Sequence, residues 1–348
     1  MKKAIPLLPL FKQFIRDTQT GKRLKKNGEK IKKETVQNYK YALQNLIEFS
    51  IKENFELHIC DASRLNKREF ISEKNYWKKF YKKFTGFLYK KGCYDNYVGS
   101  TIKMIRVFFN YLKEEKNINT GDFHKLFYVR KEEVDILVLS PNQLKFLIHD
   151  KVFEETLKPK LKTVKDIFVF GCTTGLRYSD IFKLTNKNFE KQENDWYLKM
   201  KSQKTKTYSF IKLPAYGVDI YKKHRSNSNI TPVFPLFSLS NFNDLLKILG
   251  EKSNFTDPIT VSREIQGQPK KMKIHNGRTG VRFCDKMSSH MMRRTAITTL
   301  LILGLPEHLV RKVSGHSSNS NSFNRYVHYA QVYIDREIDK VHDKLGEY

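Results

Sequence analysis

A stretch near the carboxyl end of the 348-residue chain holds residue types that could handle a phosphate. Ser288-Ser289-His290-Met291-Met292-Arg293 leads into an apolar run, Val313-Ser314-Gly315-His316 follows, and Tyr326 stands ten residues beyond. His290 and Arg293 are three apart, so on a helix they project from one face and can reach one ligand. A guanidinium presents a fixed fork of donors that matches phosphate oxygens. A second imidazole adds a further donor, and a phenolic oxygen becomes a nucleophile once its proton is drawn off. No metal-ligand spacing is needed to explain the set.

Two stretches earlier in the chain carry further candidates. In Thr173-Thr174-Gly175-Leu176-Arg177-Tyr178-Ser179-Asp180-Ile181, the glycine can end one helix while Ser179 and Asp180 suit the entry of the next. That leaves Arg177 at a helix junction, where it can point into a cleft or remain a surface arginine. Trp196–Met200 and Tyr208–Leu213 read as two short strands joined by Ser202-Gln203-Lys204-Thr205-Lys206-Thr207, a turn offering Lys204 or Lys206.

The elements that must position these residues are mostly helical. In the first half, an early helix is expected around Phe11–Ile15, then a basic loop over Gly21–Lys33. Val36, Tyr39, Leu43, Leu46 and Ile47 mark one helical face with Thr35 as its cap. Trp77, Phe80, Phe84, Phe87 and Leu88 mark a second, interleaved with Lys78, Lys79, Lys82 and Lys83, and Ile102, Ile105, Phe109 and Leu112 mark a third. A boundary falls near residue 130, giving a helical domain over 1–130, a linker over 131–139 and a second domain over 140–348. The second domain opens on Ser140-Pro141-Asn142-Gln143, a helix start with a cap, a proline at the first position and a glutamine at the third. Helices follow around Lys162–Cys172, Tyr216–His224 and Asn241–Leu249, with a hairpin beginning at Ile259. The Ser288 helix ends near Gly304; Pro306 opens a short helix with Leu309 and Val310 inward, terminated by Gly315. Tyr326 lies on a last helix over Phe323–Ile334, followed by a charged helical tail.

Composition narrows the partner. Lys+Arg number 65 against 36 Asp+Glu, a formal net charge of +29, and such an excess repels itself unless a polyanion is near. Nucleic acid is therefore the first partner to consider. An anionic membrane is the weaker rival, because no apolar run approaches about 18 residues and no terminal segment has a signal-peptide layout. The 39% hydrophobic content suffices for packed cores. Cys60, Cys93, Cys172 and Cys284 are far apart with no Cys-x-x-Cys pair, which argues against a zinc site or disulfide framework and for a reducing cytoplasm.

Taken in order, Thr-Gly-Leu-Arg177-Tyr-Ser-Asp180-Ile, a lysine on a two-strand turn, His290-x-x-Arg293, Gly-His316 and Tyr326 resemble the full signature of the tyrosine recombinase (phage-type integrase) family. The motifs cover roughly residues 140–348; the first half is similar to the family's core-binding domain only in its basic, helical character. Lysine runs and the Lys-Thr-Lys-Thr turn are similar to recombinases of mobile elements in Bacteroidetes. The resemblance implies a mainly α fold with a small β element, two domains closing on DNA as a C-shaped clamp. It implies a site-specific recombinase that cuts and rejoins double-stranded DNA through a 3′-phosphotyrosyl bond, without metal, nucleotide or other cofactor. The catalytic set would be Arg177, Lys204, His290, Arg293, His316 and Tyr326, with Tyr326 the nucleophile and Asp180 orienting Arg177. Gln203-Lys204-Thr205 favours Lys204, while counting back from Pro214 favours Lys206. The His316–Tyr326 spacing is one residue longer than the family's commonest, leaving Tyr329 and Tyr333 as alternatives, although Phe323 and the Arg325-Tyr326-Val327-His328 context favour Tyr326. Also implied are a homo-tetramer on paired DNA sites, a DNA-bending accessory protein and a cytoplasmic, nucleoid-associated location. Two rival readings are a type IB topoisomerase-like relaxing enzyme and a non-cleaving DNA-binding regulator of the same fold.

Overall fold

The computed structural model describes residues 4–201, 208–271, 280–316 and 320–346. In chain order the first elements are β1 (Ile5–Pro6), α1 (Leu7–Thr20), α2 (Lys33–Lys52), β2 (His58–Ile59), α3 (Lys67–Lys90) and α4 (Asp95–Glu115). There follow α5 (Pro141–His149), α6 (Lys151–Thr156), α7 (Pro159–Thr174), α8 (Tyr178–Ile181), β3 (Phe189–Gln192), β4 (Asp195–Lys201), β5 (Tyr208–Leu213), α9 (Ala215–His224) and α10 (Leu239–Lys252). The chain closes with β6 (Pro258–Ile259), β7 (Ser262–Ile265), β8 (Gln268–Lys271), β9 (Val281–Arg282), α11 (Ser289–Ile302), α12 (Glu307–Ser314) and α13 (Asn321–Gly346). The fold is mainly α with a small β element, as expected. Among the described residues no helix is long and apolar enough to cross a membrane.

Two compact units divide the chain: Met1–Val134 with Ser262–Met272, and Asp135–Val261 with Lys273–Tyr348. The first is built on aromatic stripes at helical spacing. Trp77, Phe80, Phe84, Phe87 and Leu88 are all buried, and they meet Ile102, Ile105, Phe109 and Leu112 across α3 and α4. Trp77 sits edge-on to Phe109 with ring centroids 4.9 Å apart. Each such side chain contributes about 1.5–3 kcal/mol by leaving water, so the stripe, rather than helix propensity, holds these elements. Lys78, Lys79, Lys82 and Lys83 lie on the exposed side of α3. Helix α2 begins two residues before the expected Thr35 cap: Lys32 takes the cap position, its carbonyl accepting from the amides of Thr35 (3.0 Å) and Val36 (3.2 Å).

Within the second unit, α7 is wrapped by α5, α9, α10 and α11 around a large apolar core. Its buried Asp166 accepts from His224 Nε2 and Lys223 Nζ, both at 2.8 Å, which ties α7 to α9. Ser140 and Gln143 form the expected reciprocal cap on α5. Strands β4 and β5 pair antiparallel from Trp196↔Leu213 to Lys201↔Tyr208. A third strand, β3, joins them although Phe-Glu-Lys-Gln shows no alternating pattern; its register with β4 is carried by backbone bonds. Leu309, expected inward on α12, is 39% exposed, and Val310 alone of that pair is buried.

Residues 262–271 form a hairpin that belongs with the first unit, starting three residues after the expected Ile259. Pro258–Ile259 instead pairs with Val281–Arg282. Two acidic side chains of the first unit fasten the hairpin. The Glu132 side chain is fully buried and accepts from Arg263 Nε (3.1 Å), the Glu264 amide (2.6 Å) and the Asn96 amide (3.3 Å). Asp95 accepts from the amides of Gln266 (2.9 Å) and Gly267 (2.7 Å), which have positive φ at the hairpin tip. Burial alone would raise the Glu132 pKa, but Arg263 and the two amides outweigh it and hold the carboxyl below its ordinary range. Removing one partner of a buried ion pair strands the other, so Glu132→Gln is expected to cost about 3 kcal/mol in urea unfolding and to strip amide-exchange protection from 262–271. An unchanged unfolding midpoint would show that the hairpin is not held by this carboxylate.

Candidate active site

Helix α11 buries Met291, Met292 and Arg293 on its core face, and its start is pinned by the Ser289 amide donating to Asn243 Oδ1 at 2.8 Å. Arg293 is only 5% exposed, so its charge needs partners. It finds them at two helix ends. Nη1 donates to the Gly175 carbonyl at 2.8 Å, and Nη2 donates to the Ser314 carbonyl. Gly175 caps α7 and Ser314 is the last residue of α12, so both acceptors are among the orphan carbonyls that give a helix C-terminus its partial negative charge. The turns that present them need left-handed residues, Gly175 at φ 65° and Gly315 at φ 62°, where a Cβ would be strained.

His316 follows Gly315 directly. Its Nδ1 lies 3.3 Å from Arg293 Nη2 and 2.9 Å from Ser314 Oγ. Arginine can only donate, so a ring with its proton on Nε2 lets Nδ1 accept from Arg293, whereas a proton on Nδ1 would go to Ser314 Oγ, whose own proton goes to the Val310 carbonyl. Burial, then the charges of Arg293, Arg177, Arg311 and His290, lower the His316 pKa to about 4. The ring is therefore neutral at physiological pH.

Tyr326 is buried against this cluster, with its ring 6.0 Å from that of His316 at 62°, and packs with Phe323, Ile297 and Leu301. Arg311 fixes the first turn of α13, lying 3.9 Å over the Phe323 ring and donating to Asn324 Oδ1 at 2.9 Å. Arg177 caps the start of α8 at the expected helix junction, half-buried, and its carbonyl accepts from the amide of buried Asp180 at 2.8 Å. The Arg293 pKa is lowered to about 10, first by burial and then by Arg177, while Tyr326 and Asp180 oppose the shift. The guanidinium stays charged, and its neighbours in that balance are the groups singled out in the sequence.

Arg177, Asp180, Arg293, His316 and Tyr326 thus come together, and exposed His290 lies within electrostatic range of His316. Lys204 and Lys206 lie outside the described residues, which resume on either side at the paired Lys201 and Tyr208. Sequence reasoning singled out neither Ser314 nor Arg311. Ser314 sits inside the Val-Ser-Gly-His stretch, but its use as a carbonyl acceptor leaves no trace in residue type. The assembly offers two guanidinium groups, a neutral imidazole donor and a phenol, a set suited to an oxyanion that develops on phosphorus.

The profile of the Phage integrase family matches residues 138–332, more than half of the chain. Among solved structures the chain is similar to the Tn1549 transposon integrase in complex with transposon right end DNA, at 15% identity and TM-score 0.56 over 95% of this chain and 99% of that one. It is similar to XerH site-specific recombinase bound to palindromic difH substrate, at 14% identity and TM-score 0.54, covering 95% of each chain. It is similar to the lambda integrase bound to DNA, at 11% identity and TM-score 0.58, over 91% of this chain and 93% of that one. At these identities the likeness is one of fold. No curated protein matches the chain by sequence.

Folded-state histidines that resist protonation make stability depend on pH. With His316 and buried His124 both lowered to about 4, the unfolded chain binds more protons between pH ~4 and ~6.5, so stability is intact above that window and falls as the solution is acidified through it. His316→Gln is expected to flatten part of this slope in urea midpoints compared at pH 5 and pH 7; a slope identical to that of the parent chain would contradict the neutral assignment.

Proposed function

The chain belongs to the phage integrase family, and from that premise we propose that it is a site-specific DNA recombinase whose nucleophile is Tyr326. The observation that carries the residue assignment is the packing of Tyr326 against a neutral His316 that is itself bonded to a buried, charged Arg293. Tyr326 Oη attacks a DNA phosphodiester, forming a 3′-phosphotyrosyl bond and releasing a 5′-hydroxyl. Attack by the 5′-hydroxyl of a partner strand reverses the step and frees the phenol. One phosphoester bond replaces another each time, so the energy of the bond is conserved and no nucleotide is consumed.

Arg177 and Arg293 clamp the non-bridging oxygens, where charge grows in the transition state. Buried and already held by carbonyls, Arg293 needs little reorganisation. His316 donates through Nε2 to the same oxygens. His290, at the exposed start of α11, exchanges the proton of Tyr326, and Lys204 protonates the leaving 5′-oxygen, with Lys206 the alternative. Asp180 orients Arg177.

Double-stranded DNA is the substrate this chemistry requires, and the net charge of +29 and the exposed lysines of α3 support it. The chain acts as a homo-tetramer on paired sites, with a domain boundary near residues 131–139. Support for assembly comes from α13 beyond Tyr326, where Val332 and Ile338 are 37% and 47% exposed and suit packing on a neighbouring protomer. We place the protein in a mobile element, of the kind carried by Bacteroidetes, acting on the nucleoid in the cytoplasm with a DNA-bending helper.

Tyr326→Phe is expected to abolish the covalent adduct on a nicked suicide duplex while leaving binding within a few-fold; an adduct that persists would move the nucleophile to Tyr329 or Tyr333. Arg177→Ala should slow cleavage by about a hundredfold or more with a small loss of affinity, and a loss in cleavage that merely tracks binding would make it a plain phosphate contact. DNA affinity should fall steeply between 50 and 200 mM salt, by about a thousandfold if six or more phosphates are neutralised; a flat response would contradict the basic interface.

A further inference from the structure

A second constellation lies in the first unit, among residues the recombination chemistry does not use. His58 lies on β2, Cys60 follows two residues later, and Glu73 projects from α3. One ligand atom from each side chain lies within 4.8 Å of the others. We propose that His58, Cys60 and Glu73 form a binding site for a thiophilic divalent cation of the Zn2+ class, linking β2 to α3.

The spacing fits an ion better than a direct ion pair. His58 Nε2 and Glu73 Oε2 are 3.4 Å apart. A charge-assisted N–H···O bond closes to about 2.7–2.9 Å, whereas two ligands bonded at about 2.0–2.1 Å to a tetrahedral ion stand about 3.3 Å apart. Burial supports the same reading. The Glu73 side chain is fully buried, Cys60 is 3% exposed and the His58 side chain 17%. A divalent cation would offset the cost of keeping the Glu73 carboxylate ionised with no exposure. One divalent cation balances the carboxylate and a Cys60 thiolate, with His58 neutral, and the filled site carries no net charge.

The ligand types select the ion. Thiolate and imidazole together favour zinc-like metals over magnesium or calcium, which take oxygen ligands. Cys60 also lines a pocket of about 740 Å³ with Asp61, Asn66 and Glu69. Three protein ligands leave a fourth position for water. Within the unit, such an ion would join the strand that pairs with Ile5–Pro6 to the helix carrying the Trp77–Phe87 stripe. The arrangement does not depend on the recombinase reading.

The test uses the untagged full-length chain, stripped with a chelator and titrated with Co2+. One equivalent is expected to bind per chain with the near-ultraviolet thiolate-to-cobalt charge-transfer band and visible bands of a tetrahedral site, and Zn2+ should displace it. Cys60→Ser should abolish the charge-transfer band, and Cys93→Ser should leave it intact. Because a buried variant can fail to fold, His58→Gln, at a half-buried position, provides a second measurement: Zn2+ should raise the Tm of the parent chain by selective binding to the folded state and leave that of His58→Gln unmoved. No thiolate band in the parent chain, a band surviving in Cys60→Ser, or an equal Zn2+ shift in His58→Gln would each overturn the proposal.

Discussion

Burying an arginine is the constraint on which the catalytic unit depends. At 5% exposure Arg293 cannot be left to water, and the fold answers with the ends of two helices. The carbonyls of Gly175 and Ser314 accept its protons, so α7 and α12 must end where they do and turn away through left-handed glycines. Those same two turns deliver the other functional groups. Arg177 is two residues past Gly175, and His316 is two residues past Ser314. One buried cation therefore sets the positions of a second guanidinium and of an imidazole, and its charge adds to the burial that keeps that imidazole neutral. Tyr326 closes the set from α13, which Arg311 pins by its stacking on Phe323.

Electrostatics give the site a consistent direction. Burial first, and then repulsion by the neighbouring Arg177 guanidinium, lower the Arg293 pKa to about 10, yet not far enough to discharge it at neutral pH. A phosphate entering between them relieves that repulsion. The site is thus most at ease when an anion is bound, which is the condition for stabilising a phosphorane. The neutral His316 complements it as a donor that does not add a third positive charge.

Much of this was legible in the sequence because chemistry-bearing residues were tied to local structural signals. The aromatic stripe at Trp77–Leu88 reads as core from spacing alone, and every member is buried. Ser140-Pro141-Asn142-Gln143 announces a helix start because capping is a local event. Gly175 and Gly315 announce helix ends for the same reason. What stayed hidden is what depends on distant partners. Strand β3 has no alternation of its own and exists by pairing with β4. The 262–271 hairpin is fastened by Glu132 and Asp95, more than 130 residues away, and nothing in its own residues names them. Leu309 reads as inward by spacing, but on α12 only Val310 meets the core. The His58–Cys60–Glu73 cluster escapes a search for paired cysteines because its third ligand comes from another element.

The most direct measurement of the central claim is single-turnover cleavage by Arg293→Lys on a nicked suicide duplex, read beside its DNA affinity. Lysine keeps the charge but has a single ammonium in place of the fork, so it cannot hold both helix-end carbonyls and a phosphate at once. Cleavage lower by about a hundredfold or more, with affinity within a few-fold of the parent chain, is the expected result. Cleavage at the parent rate would mean that the buried guanidinium does not organise the site.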